Sequence, residues 1–183
     1  MRESDYRKEL TEKEEEIYQQ SVELMEKGKR EKAEKIITDF LAKKPNYIPA
    51  LNKKAVIKIY QKEYGTARSL LNQILEKDPD YAPALTNLGS IAKEVGDLNR
   101  AKKLYQKAVK VDEEYGPAYN NLGVIYREEG NYSKSVKYLK KARKKGGFSY
   151  NFNTDKPFYK DPGCLFVLFL ALLLIIIIYF ILI

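Results

Sequence analysis

The chain has 183 residues and a formal net charge of +8, with 33 lysines and arginines against 25 aspartates and glutamates. It contains no histidine and a single cysteine. This composition excludes Ser-His and Cys-His dyads, histidine-ligated metals, an internal disulfide and a thiolate metal cage. A basic balance is typical of proteins that bind nucleic acid or an anionic membrane, and the position of the charge decides between them.

The N-terminal residues 1–13 carry no apolar stretch of the kind that forms a signal peptide. We expect them to form a helical extension in front of the main domain. The acidic run that follows, Glu14 to Glu16, lies among lysines and fits a solvated helix face better than a catalytic carboxylate pair.

A repeat governs the middle of the chain. Three related segments are spaced 34 residues apart: KPNYIPAL at 44–51, DPDYAPAL at 78–85 and DEEYGPAY at 112–119. A strict period of this size indicates a solenoid of identical supersecondary units, each too small to be stable alone.

Each unit has the pattern of two helices joined by a turn. Within 82–115, Leu85, Leu88 and Ala92 share one helical face, Gly96-Asp97 marks a turn, and the apolar face resumes from Ala101. Small residues on both faces, such as Gly89, predict a close approach of two antiparallel helices.

These residues resemble the tetratricopeptide repeat (TPR) family, whose unit is a 34-residue helix-turn-helix. The motif is strongest where Leu88-Gly89 and Leu122-Gly123 recur with Ala108 and Ala142. The repeat domain is placed at 14–147, with units at 14–47, 48–81, 82–115 and 116–149. The resemblance implies an all-α solenoid that binds peptides in its concave groove, with no cofactor and no small-molecule substrate.

Matching the chain to the family's concave positions gives a candidate groove. Its residues are Tyr18, Val22, Asn52, Val56, Tyr60, Thr86, Asn87, Lys93, Asn120, Asn121 and Arg127. The cationic clamp by which some TPR domains hold a chaperone's C-terminal carboxylate is missing, because Val56 and Pro117 occupy positions of that motif. Asn87 and Asn121 are expected either to bond a peptide backbone or to link neighbouring helices.

Unit two departs from the family pattern. Lys54 and Lys58 fall at core positions. Val56, Ile59 and Tyr60 fall at groove positions. Two interpretations remain open. Either the first helices of units one and two are rotated, so that their apolar residues are core and the lysines extend to solvent, or the groove has an apolar half near units one and two.

No catalytic constellation is found. The chain has no GxxxxGK[ST] phosphate loop, and Gly28-Lys29 belongs to a repeat turn. We therefore expect a binding protein and not an enzyme.

The last repeat helix is strongly basic. We expect five of its lysines, with Phe158 and Tyr159 of the aromatic juxtamembrane linker at 146–163, to face a membrane surface. These lysines are Lys137, Lys140, Lys141, Lys144 and Lys145.

Residues 164–183 form an uncharged apolar run of twenty residues. At about 1.5 Å per residue a helix of this length spans about 30 Å, the thickness of a bilayer's hydrocarbon core. We expect a single transmembrane helix acting as a tail anchor. Residues 134–163 hold nine basic and two acidic residues, a net +7 of the total +8. This places the N-terminal TPR domain in the cytoplasm and argues against nucleic acid as the partner.

Together these features predict a membrane-anchored adaptor or scaffold that binds a peptide or helix of a protein partner. The alternative is a receptor or assembly chaperone that captures a hydrophobic client segment, which an apolar half-groove would support.

Overall fold

The computed structural model describes residues 3–146, and every regular element in this part of the chain is an α-helix. The helices, in chain order, are α1 (Glu3–Arg7), α2 (Glu12–Glu26), α3 (Arg30–Lys43), α4 (Ile48–Tyr60), α5 (Tyr64–Lys77), α6 (Ala82–Glu94), α7 (Leu98–Val111), α8 (Gly116–Glu128) and α9 (Tyr132–Lys144). After the short α1, the helices of this region form four pairs. The second helices of the pairs begin at residues 30, 64, 98 and 132, 34 residues apart each time.

Local sequence signals set the beginnings of the helices. Pro49, Pro83 and Pro117 lie in the first turn of α4, α6 and α8, where the missing amide proton and the fixed φ of proline favour a helix start. Before α2, Thr11 and Glu14 form a reciprocal capping box. The side chains of Asp97 and Asn131 accept backbone hydrogen bonds at the starts of α7 and α9.

The turn inside each pair has a residue with left-handed backbone at the same position in every repeat. Gly28, Gly96 and Gly130 have positive φ, and Lys62 takes φ 63° at the equivalent position of the second pair. The next residue donates back into the preceding helix, as from the Asp97 amide to the Ala92 carbonyl. This is the Schellman type of helix ending, in which a residue without Cβ has the least strain.

Neighbouring pairs stack through apolar side chains, and the buried residues form three adjoining core clusters. From α2 to α9 consecutive helices pack together, and α6 also contacts both α4 and α8. Ile57, Ile91 and Ile125 occupy the same position of successive repeats, and all three are fully buried. Inside the third pair, a Cβ on Gly89 would lie 2.5 Å from the Tyr105 ring, so glycine is what permits this close packing.

Within residues 3–146 no helix is both long and apolar enough to cross a membrane. The predicted span at 164–183 lies outside the described residues, as does the linker from residue 147 onward.

Candidate partner-binding groove

The first helices of the four pairs, α2, α4, α6 and α8, carry the predicted groove residues. Because α6 contacts both α4 and α8 directly, α4, α6 and α8 form a continuous inner row. Polar side chains that lie along this row can be reached by one ligand spanning several repeats.

Asparagines connect two helices of this row. The Asn87 amide of α6 donates to Asn52 Oδ1 of α4 at 2.8 Å, and Asn52 is buried. Asn87 therefore has the inter-helix role that was one of its two predicted alternatives. It remains half-buried, so that its side chain is still partly accessible from outside.

Asn121 follows Thr86 by 35 residues, just as Asn87 follows Asn52. The repeat therefore gives Asn121 and Thr86 the same relation as the bonded pair Asn87 and Asn52. Thr86 is buried, and its hydroxyl oxygen has no hydrogen-bond partner within the described region. Asn120 and Asn121 are half-buried. This end of the row thus holds amide groups that can donate to and accept from a ligand.

An ion pair closes the row at the far ends of α6 and α8. Lys93 Nζ lies 2.8 Å from Glu128 Oε1, and Arg127, the neighbour of Glu128 in sequence, is exposed. The candidate groove is therefore amide-rich along its middle and carries charge at this edge.

Tyr18 is not a groove residue, which corrects the sequence-based assignment. It is 1% exposed and packs against Phe40 and Tyr47, with ring centroids 6.0 and 5.4 Å away. Val22, on the same helix, is half-buried against the core. The apolar periodicity of α2 therefore marks its core face.

Tyr60 also differs from its assignment. It is 62% exposed, and the Arg30 guanidinium of α3 lies 4.0 Å from its ring centroid. The two residues border a cleft of about 490 Å³ at the turn edge, together with Lys29 and Gln61. Val56 is half-buried and remains in the groove set.

Lys58 explains the mismatch in unit two. Its ammonium lies 2.8 Å from Glu34 of α3 and 3.1 Å from Glu63, and its side chain is only 16% exposed. Hydrogen bonding to Glu34 raises the pKa of Lys58, and the same contact lowers the pKa of Glu34. Lys58 thus lies at an inter-repeat position and is paired there, whereas the rotated-helix interpretation had it extending to solvent.

The turns between pairs form an acidic cleft that the sequence analysis missed. It has a volume of about 920 Å³ and is bordered by Asp5, Asp80, Asp112, Glu113 and Glu114. The signal was present in the repeated acidic turns at 78–80 and 112–114, but their convergence depends on the stacking of the repeats. Glu114 is paired with Lys145, which raises the pKa of that lysine.

The predicted membrane-facing lysines at the end of the repeats divide into two groups. Lys137, Lys140 and Lys144 are exposed. Lys141, which is also exposed, and Lys145 lie over the Tyr119 ring, at 5.4 and 5.9 Å from its centroid. Phe158 and Tyr159 lie outside the described residues. Within 3–146, no group of acidic or cysteine side chains could hold a metal ion.

An all-α stack of 34-residue helix pairs with an inner polar row is a TPR-like helical-repeat protein. The model of the family described as Tetratricopeptide repeat protein 21 C-terminal ARM domain matches residues 1–150. The chain belongs to this family. A comparison with curated proteins gives no match.

Solved structures agree with this fold. The structure titled "Crystal structure of MamA" is 22% identical with a TM-score of 0.55, covering 79% of this chain and 84% of that one. MamA 41-end from Desulfovibrio magneticus RS-1 is also 22% identical with a TM-score of 0.55, covering 73% and 75%. A MamA RS-1 double mutant has 21% identity and a TM-score of 0.54, covering 76% and 79%. At this identity the likeness concerns the fold.

Proposed function

We propose that the chain is a membrane-anchored adaptor that binds a peptide or helix of a protein partner along its inner helix row. The observation that carries this proposal is the half-buried amide row from Asn87 to Asn120 and Asn121. Such groups can bond a partner's backbone with little reorganisation, because the helices that hold them are already packed.

The inner row is less apolar than the sequence predicts, and this favours an adaptor over the alternative of a client-capturing receptor or chaperone. Tyr18 belongs to the core, and Ile59 is also packed against it. Of the predicted apolar groove residues in units one and two, Val22 and Val56 remain as half-buried groups. A hydrophobic client segment would need a wider apolar surface in the groove against which to bury its side chains.

Site-specific photo-crosslinking in intact membranes tests the groove. A crosslinking residue at Asn120 is expected to capture a discrete partner, whereas one at the exposed Asn99 of α7 is not. Asn121→Ala is expected to lower that capture about fivefold, since a backbone hydrogen bond contributes about 1 kcal/mol, and Asn99→Ala leaves it unchanged. Equal capture from both positions would contradict the proposed groove.

The membrane part of the proposal rests on the apolar run at 164–183. The full chain is expected to stay with membranes during alkaline carbonate extraction, and a chain ending at Gly163 is expected to be released. Retention of the shortened chain under these conditions would refute the proposal that residues 164–183 anchor the chain in a membrane.

A further inference from the structure

The inner repeats show which residues of a helix pair are buried against the preceding helix pair. Ala50, Ala84 and Ala118 share one position of the first helix, and Ile57, Ile91 and Ile125 share another. All six are fully buried. These two positions therefore mark the stacking face of a first helix.

In α2 the same two positions hold acidic residues. Glu16 lies 34 residues before Ala50, and Glu23 lies 34 residues before Ile57. Both are exposed. The side chain of Glu23 is 65% accessible and pairs with the equally exposed Lys27 at 3.1 Å, a surface pair that water and salt screen. The stacking face of α2 is thus uncovered and negative, within a helix that has six glutamates and one lysine.

The opposite end of the described stack is uncovered and positive. Leu41, Leu75 and Val109 occupy one position of the second helices, and each packs in a core cluster. The equivalent residue of α9 is Arg143, which is exposed.

A second position of α9 repeats this contrast. Val136 is 51% exposed. The residue at its position one repeat earlier is Lys102, which bonds Glu129 of the next pair at 2.7 Å. This position therefore faces the following repeat inside the stack, and at α9 the described residues leave it open.

We infer that these two end faces bind each other between two copies of the chain, which stack head to tail. The argument is charge complementarity in the register of the repeat. Ile125 and Val109 pack in the same cluster across an inner boundary. If the stack continues by one more repeat, Glu23 of the second copy takes the position equivalent to Ile125. It then lies next to Arg143 of the first copy, which takes the position equivalent to Val109.

The whole helices agree with this pairing. The α2 helix has a net charge of −5, from six glutamates and one lysine, whereas α9 has five lysines, one arginine and no acidic residue. Because the contact joins two different faces, it does not close on itself. It predicts linear oligomers that grow with concentration, in contrast to a closed dimer.

The test uses the full chain in detergent micelles, with mass measured by sedimentation over a range of concentrations and salt. We expect association at low salt that is lost at high salt, since the pairs are solvent-exposed. Glu23→Arg and Arg143→Glu are each expected to lower the association constant at least tenfold.

An equimolar mixture of the two variants is expected to regain association. Every contact between unlike variants then joins opposite charges. The introduced arginine of one variant meets the introduced glutamate of the other, and the unchanged Glu23 meets the unchanged Arg143. Recovery in the mixture also shows that both variants are folded.

The matched controls are Glu76→Arg and Lys103→Glu, at exposed positions on α5 and α7, and they are expected to associate like the unchanged chain. A chain that stays monomeric at every concentration would overturn the inference. So would association that neither reversal weakens, or a mixture that stays as weak as the single variants.

Discussion

Lys62 has a left-handed backbone that a side chain makes costly. Its φ of 63° matches Gly28, Gly96 and Gly130 at the same turn of the other pairs. The Cβ of a non-glycine residue is strained in this region by about 1 kcal/mol. We therefore expect Lys62→Gly to raise the free energy of unfolding by about 0.5–1 kcal/mol, measured by chemical denaturation.

The reciprocal change at the third turn is the control. Gly96 has φ 85°, and a Cβ there would meet no atom within 4 Å. Gly96→Ala should therefore lower the free energy of unfolding through backbone strain alone, by about 1 kcal/mol. If Lys62→Gly lowered the free energy of unfolding, backbone strain at Lys62 would not be the factor that decides the stability of this turn.

The pair between Glu34 and Lys58 predicts a pH dependence. Glu34 has its pKa lowered from 4.5, mainly by Lys58, so its stabilising contribution is present above pH 4.5 and is lost as the pH falls through the folded-state value. Lys58 has its pKa raised from 10.5, mainly by Glu34, so its contribution is lost only at strongly alkaline pH.

Between about pH 5 and 10 the contribution of this pair is therefore constant. Lys58→Met is expected to cost about 1–2 kcal/mol at pH 7, because Glu34 loses its main partner in a partly buried position. It should also flatten the acid limb of the stability curve in urea titrations from pH 3 to 7. An acid limb as steep as that of the unchanged chain would show that Lys58 does not set the pKa of Glu34.

At the scale of single elements, α1 is too short to be a stable helix by itself. Its five residues are fixed by Tyr6, whose ring lies edge-on to Tyr47 and Tyr81 at 6.5 and 6.1 Å. The Tyr6 hydroxyl donates to Asp78 Oδ2 at 2.7 Å. Burial, and then this bond, raise the pKa of Tyr6. The helical segment near the N-terminus is thus packed against the loops that precede the second and third repeats.

Graded substitutions at Tyr6 separate ring packing from the hydrogen bond. Tyr6→Phe is expected to cost about 1 kcal/mol of unfolding free energy, and Tyr6→Ala about 3 kcal/mol. Faster amide hydrogen exchange at Glu9 and Leu10 should accompany the alanine variant, as α1 detaches. Lys8→Ala, at an exposed position, is the control. Equal losses for Phe and Ala would mean that the ring does not hold α1.

The helices of residues 3–146 were largely determined by local signals. These signals are the recurring proline two residues after a tyrosine, the turn glycines and the spacing of apolar residues. Each acts within a few residues of the helix end that it defines. The orientation of each helix about its axis is a different matter, because several faces of α2 and α4 are apolar enough to be core. Tyr18 and Tyr60 were both assigned to the groove, and the structure places one in the core and the other at the turn edge.

At the scale of the whole molecule, the two ends of the described repeats carry opposite charge: α2 is negative and α9 is positive. Lys137 and Lys144 are exposed on α9, close in sequence to the apolar run. We expect a chain ending at Gly147 to bind vesicles that contain anionic lipid and to leave them at high salt, because each lysine near such a surface contributes about 1 kcal/mol.

Repeat-matched variants test this expectation in vesicle co-sedimentation. Lys137→Gln with Lys144→Gln should lower vesicle affinity about 30-fold, the equivalent of about 2 kcal/mol. Lys103 and Lys110 lie at the same positions one repeat earlier, and their double glutamine variant is the control. Equal binding to neutral vesicles would show that the attraction is not electrostatic.

The sequence by itself determined the 34-residue period, the helix pairs, their turns and the absence of histidine and thiolate-cage chemistry. Each of these depends on residue type or on neighbours along the chain. Only the tertiary structure decided that Tyr18 is core, that Asn87 bonds Asn52, and that the acidic turns converge on one cleft. The physical reason is that burial at a repeat boundary depends on what the adjacent pair presents. Lys58 is stable at an inter-repeat position because Glu34 lies opposite it, and nothing in its own helix shows that.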